Sequence, residues 1–235
     1  MILTNKIILI VTFFLLFTFI VKAQGKGIGI SYSKIVVDKE FNIDKVYYKF
    51  SGKKIPRKVF ASLTRKNPNL YLEKEYNEQG RVIKYLYDKD NQGVRLVKPK
   101  AIAKGNFPSF KFTTVEKNKI VSKNLLGKII ILRFELFVND FRFKENEIKE
   151  LDRKINISKN KENIEAVIIF ECSEKEIING FSIPDSNFKL VGNGMNFIQK
   201  LGISRFPYTL IIDQQGNLID KFAFSEDIEL DKYFR

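Results

Sequence analysis

The stretch LGISRFPYTLIIDQQGNLI, residues 201–219, predicts a helix end followed by a strand hairpin. Gly202 follows a short helical pattern, and glycine is a common residue just past the end of a helix. The apolar run PYTLIID is followed by QQG and then by a second apolar run, the pattern of two strands joined by a tight turn. We therefore expect an antiparallel strand pair near the end of the chain.

The upstream stretch KIIILRFELFVNDFRFKENEI, residues 128–148, predicts a buried strand that runs into a helix. Its apolar run is continuous, as in a strand covered on both faces, and residues 141–156 carry a helical apolar stripe. Strand and helix patterns then alternate, and a final helix is expected over residues 225–234 with Ser225 as its N-cap. The order βαβα followed by ββα predicts an α/β layered domain.

The preceding part of the chain predicts a separate, smaller α+β module. A short helix is expected after Pro56, and a hairpin is expected around the turn at residues 77–80. Proline, glycine and alanine then cluster in residues 98–110, which is typical of a break between domains. We therefore predict a signal peptide at 1–23, a small α+β module at 24–103 and the α/β domain at 104–235.

Composition excludes several kinds of chemistry. The chain has no His and no Trp, and its only cysteine is Cys172. It therefore has no imidazole base, no Ser-His-Asp triad, no cysteine zinc site and no intrachain disulfide. The formal charge is +14, but the lysines are spread evenly and form no basic stripe with stacking aromatics. We expect no nucleic-acid partner, no metal and no cofactor.

The first 23 residues, MILTNKIILIVTFFLLFTFIVKA, have the pattern of a secretory signal peptide. Lys6 precedes an apolar run that ends at Val21, which is shorter than the ~20 residues of a membrane-spanning helix. We therefore expect an exported protein of a bacterial periplasm or cell envelope. Any membrane contact would be made only by this segment if it stays uncleaved.

Two stretches together resemble the thioredoxin-like fold, within it the exported TlpA/ResA and AhpC/TSA-type redoxins. The first is FPSFKFTTVEKNKIVSKNLLGKIIILRFE, and the second is LGISRFPYTLIIDQQGNLI, where Pro207, Asp213 and Gly216 match in order and spacing. The resemblance covers about residues 104–235. It implies a central mixed sheet flanked by helices and a cis bond between Phe206 and Pro207, whose backbone edge would pair with an extended peptide.

The sequence departs from these redoxins at the position of their CxxC motif, which aligns with Asn139, Asp140, Phe141 and Arg142. Dithiol exchange needs an attacking thiolate at a helix N-terminus and a second thiol that resolves the mixed disulfide. Amide, carboxylate, phenyl and guanidinium groups cannot replace them. The loss argues against turnover as a thiol-disulfide oxidoreductase. We expect Asn139 or Asp140 to cap the following helix instead.

We therefore expect an exported redoxin-family protein that has lost its redox dithiol and acts as a non-catalytic binding or scaffold protein of the cell envelope. The expected contact surface lies between the Phe206–Pro207 edge and the loop at 139–142. Phe137, Phe141 and Phe206 would give apolar contacts and Arg142 a charge to an extended peptide or envelope protein.

Two alternatives stay open at this point. Cys172 follows a buried strand and is either a small core residue or the single thiol of an oxidoreductase or peroxidase-type enzyme. A different possibility is that the lysines of the N-terminal module bind an anionic envelope surface, with the second domain as a scaffold.

Overall fold

The computed structural model describes residues 41–92, 102–138, 141 and 143–234. Residues from Asn42 onward belong to one compact unit. The strands are β1 Val46–Tyr48, β2 Leu72–Tyr76, β3 Val82–Tyr87, β4 Gly105–Asn106, β5 Lys111–Thr113, β6 Lys119–Val121, β7 Ile129–Glu135, β8 Ile164–Phe170, β9 Phe188–Val191, β10 Tyr208–Ile212 and β11 Asn217–Phe222. The helices are α1 Arg57–Lys66, α2 Glu145–Ile157, α3 Glu174–Gly180 and α4 Met195–Lys200.

The larger sheet has six strands in the order β4-β11-β10-β7-β8-β9. Strands β7, β8 and β9 are parallel, and α2 and α3 form the crossovers between them. Strand β10 runs antiparallel to both β7 and β11. The predicted fold class, a central mixed sheet flanked by helices, is confirmed, and the hairpin predicted from residues 201–219 is the pair β10–β11.

Strand β7 lies at the centre of two apolar layers because all seven of its residues are buried. Its alternate side chains Ile130, Leu132 and Phe134 join one core cluster, against which α4 packs Phe197 and Ile198.

On the opposite face of β7, Ile129 and Ile131 join the second cluster, and α2 buries Ile148, Leu151 and Ile155 there. Each fully buried side chain of this size stabilises the fold by about 1.5–3 kcal/mol. The predicted apolar stripe of this helix is therefore the face that it packs on the sheet.

The smaller sheet has the order β1-β3-β2 and packs Phe60 of α1 into its own core. Its hairpin turn contacts α4 of the larger domain, since the Lys200 ammonium donates to the Asn77 carbonyl. Gly80 has φ +73°, and a Cβ there would lie 2.9 Å from the Phe197 nitrogen. Only glycine fits this contact. The two sheets lie on either side of the predicted domain boundary, which stays a prediction because both belong to one compact unit.

The expected C-terminal α-helix is wrong. A 3-10 helix at Leu230–Phe234 is present, and Ser225 caps no helix there. Its hydroxyl accepts a hydrogen bond from Arg133 and its amide donates to Glu147. The Ser225 hydroxyl is hydrogen-bonded to the buried guanidinium instead of capping a helix. Among the described residues, no helix is both long and apolar enough to cross a membrane. The expected signal peptide at 1–23 lies outside them.

Candidate functional site

Three neighbouring strands place residues at one end of the larger sheet. Tyr208, the first residue of β10, pairs with Phe134 near the end of β7, and Thr209 pairs with Phe222 at the end of β11. The same end of the sheet therefore holds the segments that follow β7 and β11 and the segment that precedes β10. This end of the sheet, called the strand-end face below, is where the sequence predicts the contact surface.

Pro207 enters β10 through a cis peptide bond with Phe206, as the sequence predicts. Phe206 is half-buried and packs against the core cluster that contains Phe134 and Phe197. A cavity of about 250 Å³ adjoins this turn and is lined by Ile102, Leu201, Gly202, Ile203, Ser204, Arg205 and Tyr208. A larger cavity of about 400 Å³, lined in part by Ile130 and Ile212, lies at the opposite end of the sheet.

Exposed phenyl rings mark the strand-end face. Phe141 is 88% exposed, Phe224 is 54% exposed and Phe137 is 38% exposed. Burying such rings would release about 25 cal/mol per Å² of apolar surface, so three exposed rings at one edge favour contact with another molecule. The sequence did not indicate Phe224 as part of this surface, because the residues after it were predicted to form a helix.

The CxxC-aligned positions lie mostly outside the described residues: Asn139, Asp140 and Arg142 are not described, and only Phe141 is. The expected helix cap by Asn139 or Asp140 is wrong, because α2 begins at Glu145 with Lys144 as its N-cap and no side-chain cap bond. Phe143 explains the later start. Its ring lies 6.1 Å from that of Phe170 and 6.4 Å from that of Phe181, and this packing precedes the helix.

Cys172 lies just after β8 and is only 3% exposed. Its amide donates to the Leu136 carbonyl at 3.2 Å, and its carbonyl accepts from the Asn193 amide at 2.7 Å. Burial raises the pKa of its thiol, the charge of Glu176 adds to the rise, and a hydrogen bond from the Val138 backbone opposes it. A buried thiol with a raised pKa is a poor nucleophile at neutral pH.

Two glycines that the sequence analysis did not single out, Gly192 and Gly194, pack closely against the chain near Cys172. A Cβ on Gly194 would lie 2.3 Å from a methyl carbon of Ile169, and one on Gly192 would lie 2.8 Å from the Glu174 nitrogen. Between them, Asn193 has φ +57°. Small residues at 192 and 194 therefore let the backbone after β9 approach the end of β8 closely.

The sequence analysis did not identify Arg133 as a buried charge, because it lies within an otherwise apolar run. It is fully buried on the α2 side of β7. Its Nε donates to Glu135 at 2.7 Å, its Nη1 to the Ser225 hydroxyl at 2.8 Å and its Nη2 to Glu147 at 3.4 Å. These four residues are called the Arg133 cluster below.

Two carboxylates share one guanidinium in the Arg133 cluster. Glu135 is 2% exposed, and burial raises its pKa to about 7. The charge and hydrogen bond of Arg133 oppose this rise, while the charge of Glu147 adds to it. The desolvation of the carboxylate is therefore only partly offset by its short ion pair.

Within the described part of the chain, no three His, Cys, Asp or Glu side chains are grouped so that they could hold a metal ion. The expectation that the protein has no metal or cofactor stays a prediction.

Comparison with known proteins gives similarity in fold only. No protein-family model and no curated protein matches the chain. A thioredoxin-family thiol:disulfide interchange protein from Chlorobium tepidum has 18% identity over 57% of this chain and 96% of its own, with a TM-score of 0.45.

Two further solved structures are similar over about half of the chain. The thioredoxin domain of a thiol-disulfide oxidoreductase from Bacteroides vulgatus has 17% identity over 57% of this chain and 93% of its own, at TM-score 0.40. A SCO1/SenC family lipoprotein from Bacillus anthracis has 18% identity over 52% of this chain and 89% of its own, at TM-score 0.41. With the mixed sheet and the cis Phe206–Pro207 bond, the predicted fold is confirmed. The α/β part of the chain has a thioredoxin-like fold.

Proposed function

We propose that this thioredoxin-like protein is exported and binds an extended peptide segment of a cell-envelope protein at its strand-end face, without transferring electrons. Export is supported by the basic, apolar and small-residue pattern of residues 1–23. Peptide binding is supported by one observation above all. Exposed phenyl rings follow β7 and β11 at the end of the sheet where the Phe206–Pro207 turn enters β10, and the chain's single thiol is buried.

The absence of a second cysteine supports a non-catalytic role. A disulfide exchange reaction within one chain needs an attacking and a resolving thiol, and this sequence has only Cys172. Burial and the raised pKa of that thiol weaken the alternative of a single-thiol enzyme as well. The phenyl rings, in contrast, need no reactive group to contribute to affinity, because they bind by losing water.

The cavity beside the turn suggests how the peptide would be oriented. Its volume of about 250 Å³ suits one apolar side chain, and its lining joins Leu201, Ile203 and Tyr208 with the exposed Arg205. In this arrangement an apolar side chain of the peptide would enter the cavity. The peptide backbone would follow the edge at Phe206.

A titration with extended peptides tests this function. Peptides that contain an apolar residue should shift the amide resonances around Phe206, Phe137 and Phe224, with the largest changes at the strand-end face. Phe141→Ser and Phe224→Ser should each weaken binding by roughly tenfold, the effect of a buried ring of moderate importance. Phe50→Ser is the matched control, because Phe50 is 79% exposed but lies in the small module.

The outcome that contradicts the proposal is equally specific. Peptides that bind with the same affinity to the Phe141→Ser, Phe224→Ser and Phe50→Ser variants would place the contact elsewhere. Insulin reduction above background, measured beside a redoxin that carries CxxC, would contradict the absence of electron transfer.

A further inference from the structure

The Arg133 cluster joins three chain segments at the strand-end face. Arg133 and Glu135 belong to β7, Glu147 lies in the first turn of α2, and Ser225 belongs to the segment after β11. Glu147 accepts from both the Arg133 guanidinium at 3.4 Å and the Ser225 amide at 3.3 Å. The guanidinium therefore holds the segment after β11 against the beginning of α2.

The residue directly before this anchor is Phe224. Ser225 is fully buried, whereas Phe224 is 54% exposed, so the fixed backbone at Ser225 decides where the ring lies. A second anchor lies on the other side of Ser225. The Lys154 ammonium donates to the carbonyls of Ser225, Glu226 and Ile228 at 2.9, 2.7 and 3.0 Å. Loss of the Arg133 and Glu147 contacts would therefore free the hydroxyl and amide of Ser225 and loosen Phe224, while Lys154 still holds the Ser225 carbonyl.

The charges in the cluster do not balance when both carboxylates are ionised. Two negative groups then share the single positive charge of Arg133, and one of them, Glu135, is buried from water while Glu147 is half-buried. A proton on Glu135 leaves a neutral acid beside the Arg133–Glu147 pair. Burial and the charge of Glu147 both favour this state, in which the pKa of Glu135 is about 7.

The other groups around Glu135 do not change this balance. On β8 its partner is the neutral Phe170, and the amide of Glu171 donates to its carbonyl at 3.1 Å. On β10, Thr209 pairs with Arg133 and is neutral. In the segment after β11, Glu226 and Asp227 are exposed to solvent, and Lys154 of α2 binds the carbonyls of that segment.

We propose that Arg133 is the positioning residue for Phe224, and that ionisation of Glu135 makes this position depend on pH. The inference rests on the proposed function only in treating Phe224 as part of the binding surface. At mildly acidic pH the cluster is neutral and holds Ser225. As the pH rises from about 4.5 toward 7, the open form, in which Glu135 is ionised and has access to water, becomes more favourable.

Hydrogen exchange of the Ser225 amide, expressed as a protection factor at each pH, tests this directly. Protection in the wild-type protein should fall by at least about tenfold between pH 5 and pH 7 and level off above that, because each unit of pKa difference between closed and open forms changes the equilibrium about tenfold. The Asn187 amide is the internal control. It donates to Asp152 at 2.8 Å on the same side of the sheet and should keep a constant protection factor.

Three variants separate the positioning role from simple packing. Glu135→Gln keeps an acceptor for Arg133 but cannot ionise, so Ser225 should stay protected at both pH values. Glu147→Gln removes the like charge that helps to raise the pKa of Glu135, so the fall in protection should become smaller and end at lower pH. Glu162→Gln, at an exposed position, should behave as the wild type.

The results that overturn the inference are a pH-independent protection factor in the wild type, or a fall in Glu135→Gln equal to that in the wild type. Arg133→Met should lose protection at every pH, but the Glu135→Gln result stands even if that variant does not fold. The peptide titration is independent of this readout. If peptides fail to bind while Ser225 protection follows pH as described, the proposed function fails and the positioning role of Arg133 survives.

Discussion

The two faces of β7 are equally buried but differ in chemistry, since one is apolar and the other carries an ion pair. On one face, Ile130, Leu132 and Phe134 are all apolar and are no more than 3% exposed. On the other, Ile129 and Ile131 are followed by the ion pair of Arg133 and Glu135, which is equally buried. The first face is stabilised by removal of apolar surface from water, whereas the second depends on every charge finding a partner. Only the second face can respond to pH.

Removal of the guanidinium should have the largest effect on this contrast. Arg133→Met leaves the buried carboxylate of Glu135 and the half-buried one of Glu147 without their cation, and we expect a loss of about 3–5 kcal/mol in the free energy of unfolding at pH 8. The loss should be smaller at pH 5, where Glu135 can take up a proton. Urea unfolding at the two pH values measures the difference.

Leu132→Ala is the matched change on the apolar face. It creates a cavity and should cost about 2–5 kcal/mol, equally at both pH values. If the Arg133→Met and Leu132→Ala losses had the same pH dependence, the charged face would be no more sensitive to protons than the apolar one.

The pH dependence of the wild-type protein is the next largest expected effect. The pKa of Glu135 rises from its ordinary 4.5 to about 7 in the folded protein, so the folded state holds this proton more tightly than the unfolded chain. Its contribution is therefore complete below about pH 4.5 and is lost as the pH rises to about 7. We expect about 3 kcal/mol of stability to be lost over this window.

Glu135→Gln should flatten that part of the stability curve. Urea denaturation at half-unit pH intervals from 4.5 to 8 measures it, and Glu162→Gln supplies the exposed control. A wild-type curve that rises across this window would mean that Arg133 stabilises the ionised carboxylate more than burial destabilises it.

The sequence was sufficient for the parts of the fold that depend on patterns of neighbouring residues. Alternation and turn residues predicted the β10–β11 hairpin, and the i, i+3, i+4 spacing of Ile148, Leu151 and Ile155 predicted the buried face of α2. The cis Phe206–Pro207 bond followed from the resemblance and is confirmed.

What the sequence could not predict depends on contacts between distant residues. Arg133 and Ser225 are 92 positions apart, and nothing near either residue indicates that they meet. For the same reason, a serine before an acidic run predicted a helix cap, whereas its hydroxyl is used by the buried guanidinium. The start of α2 was misplaced because the packing of Phe143 on Phe170 and Phe181 is a tertiary contact.

Lys154 should have a smaller effect on the charged face. Its ammonium donates to three carbonyls of the segment after β11, and Lys154→Met should cost about 1–2 kcal/mol because partly buried carbonyls lose a charged donor. Protection of the Ile228 amide should fall with it. Lys149→Met is the control on the same helix, since Lys149 makes only an exposed pair with Glu145 and should change stability little. Equal losses in the two variants would contradict a specific anchor at Lys154.

The smallest expected effect concerns Cys172, which belongs to the same core cluster as Ile129 and Ile131 but carries no charge. Cys172→Ala should cost only about 1 kcal/mol, as for the loss of a small buried group.

In the wild type, the thiol should react with Ellman's reagent at pH 8 at least roughly tenfold more slowly than a free thiol, because it is buried and burial raises its pKa. A Cys172→Ala/Ser51→Cys variant, with its thiol at the exposed turn of the small module, supplies the fast reference. Peptide binding at the strand-end face should be unchanged in Cys172→Ala. Rapid labelling of the wild type, together with peroxide consumption that disappears in Cys172→Ala, would instead make this thiol the working group of the protein and the neighbouring charged face only its support.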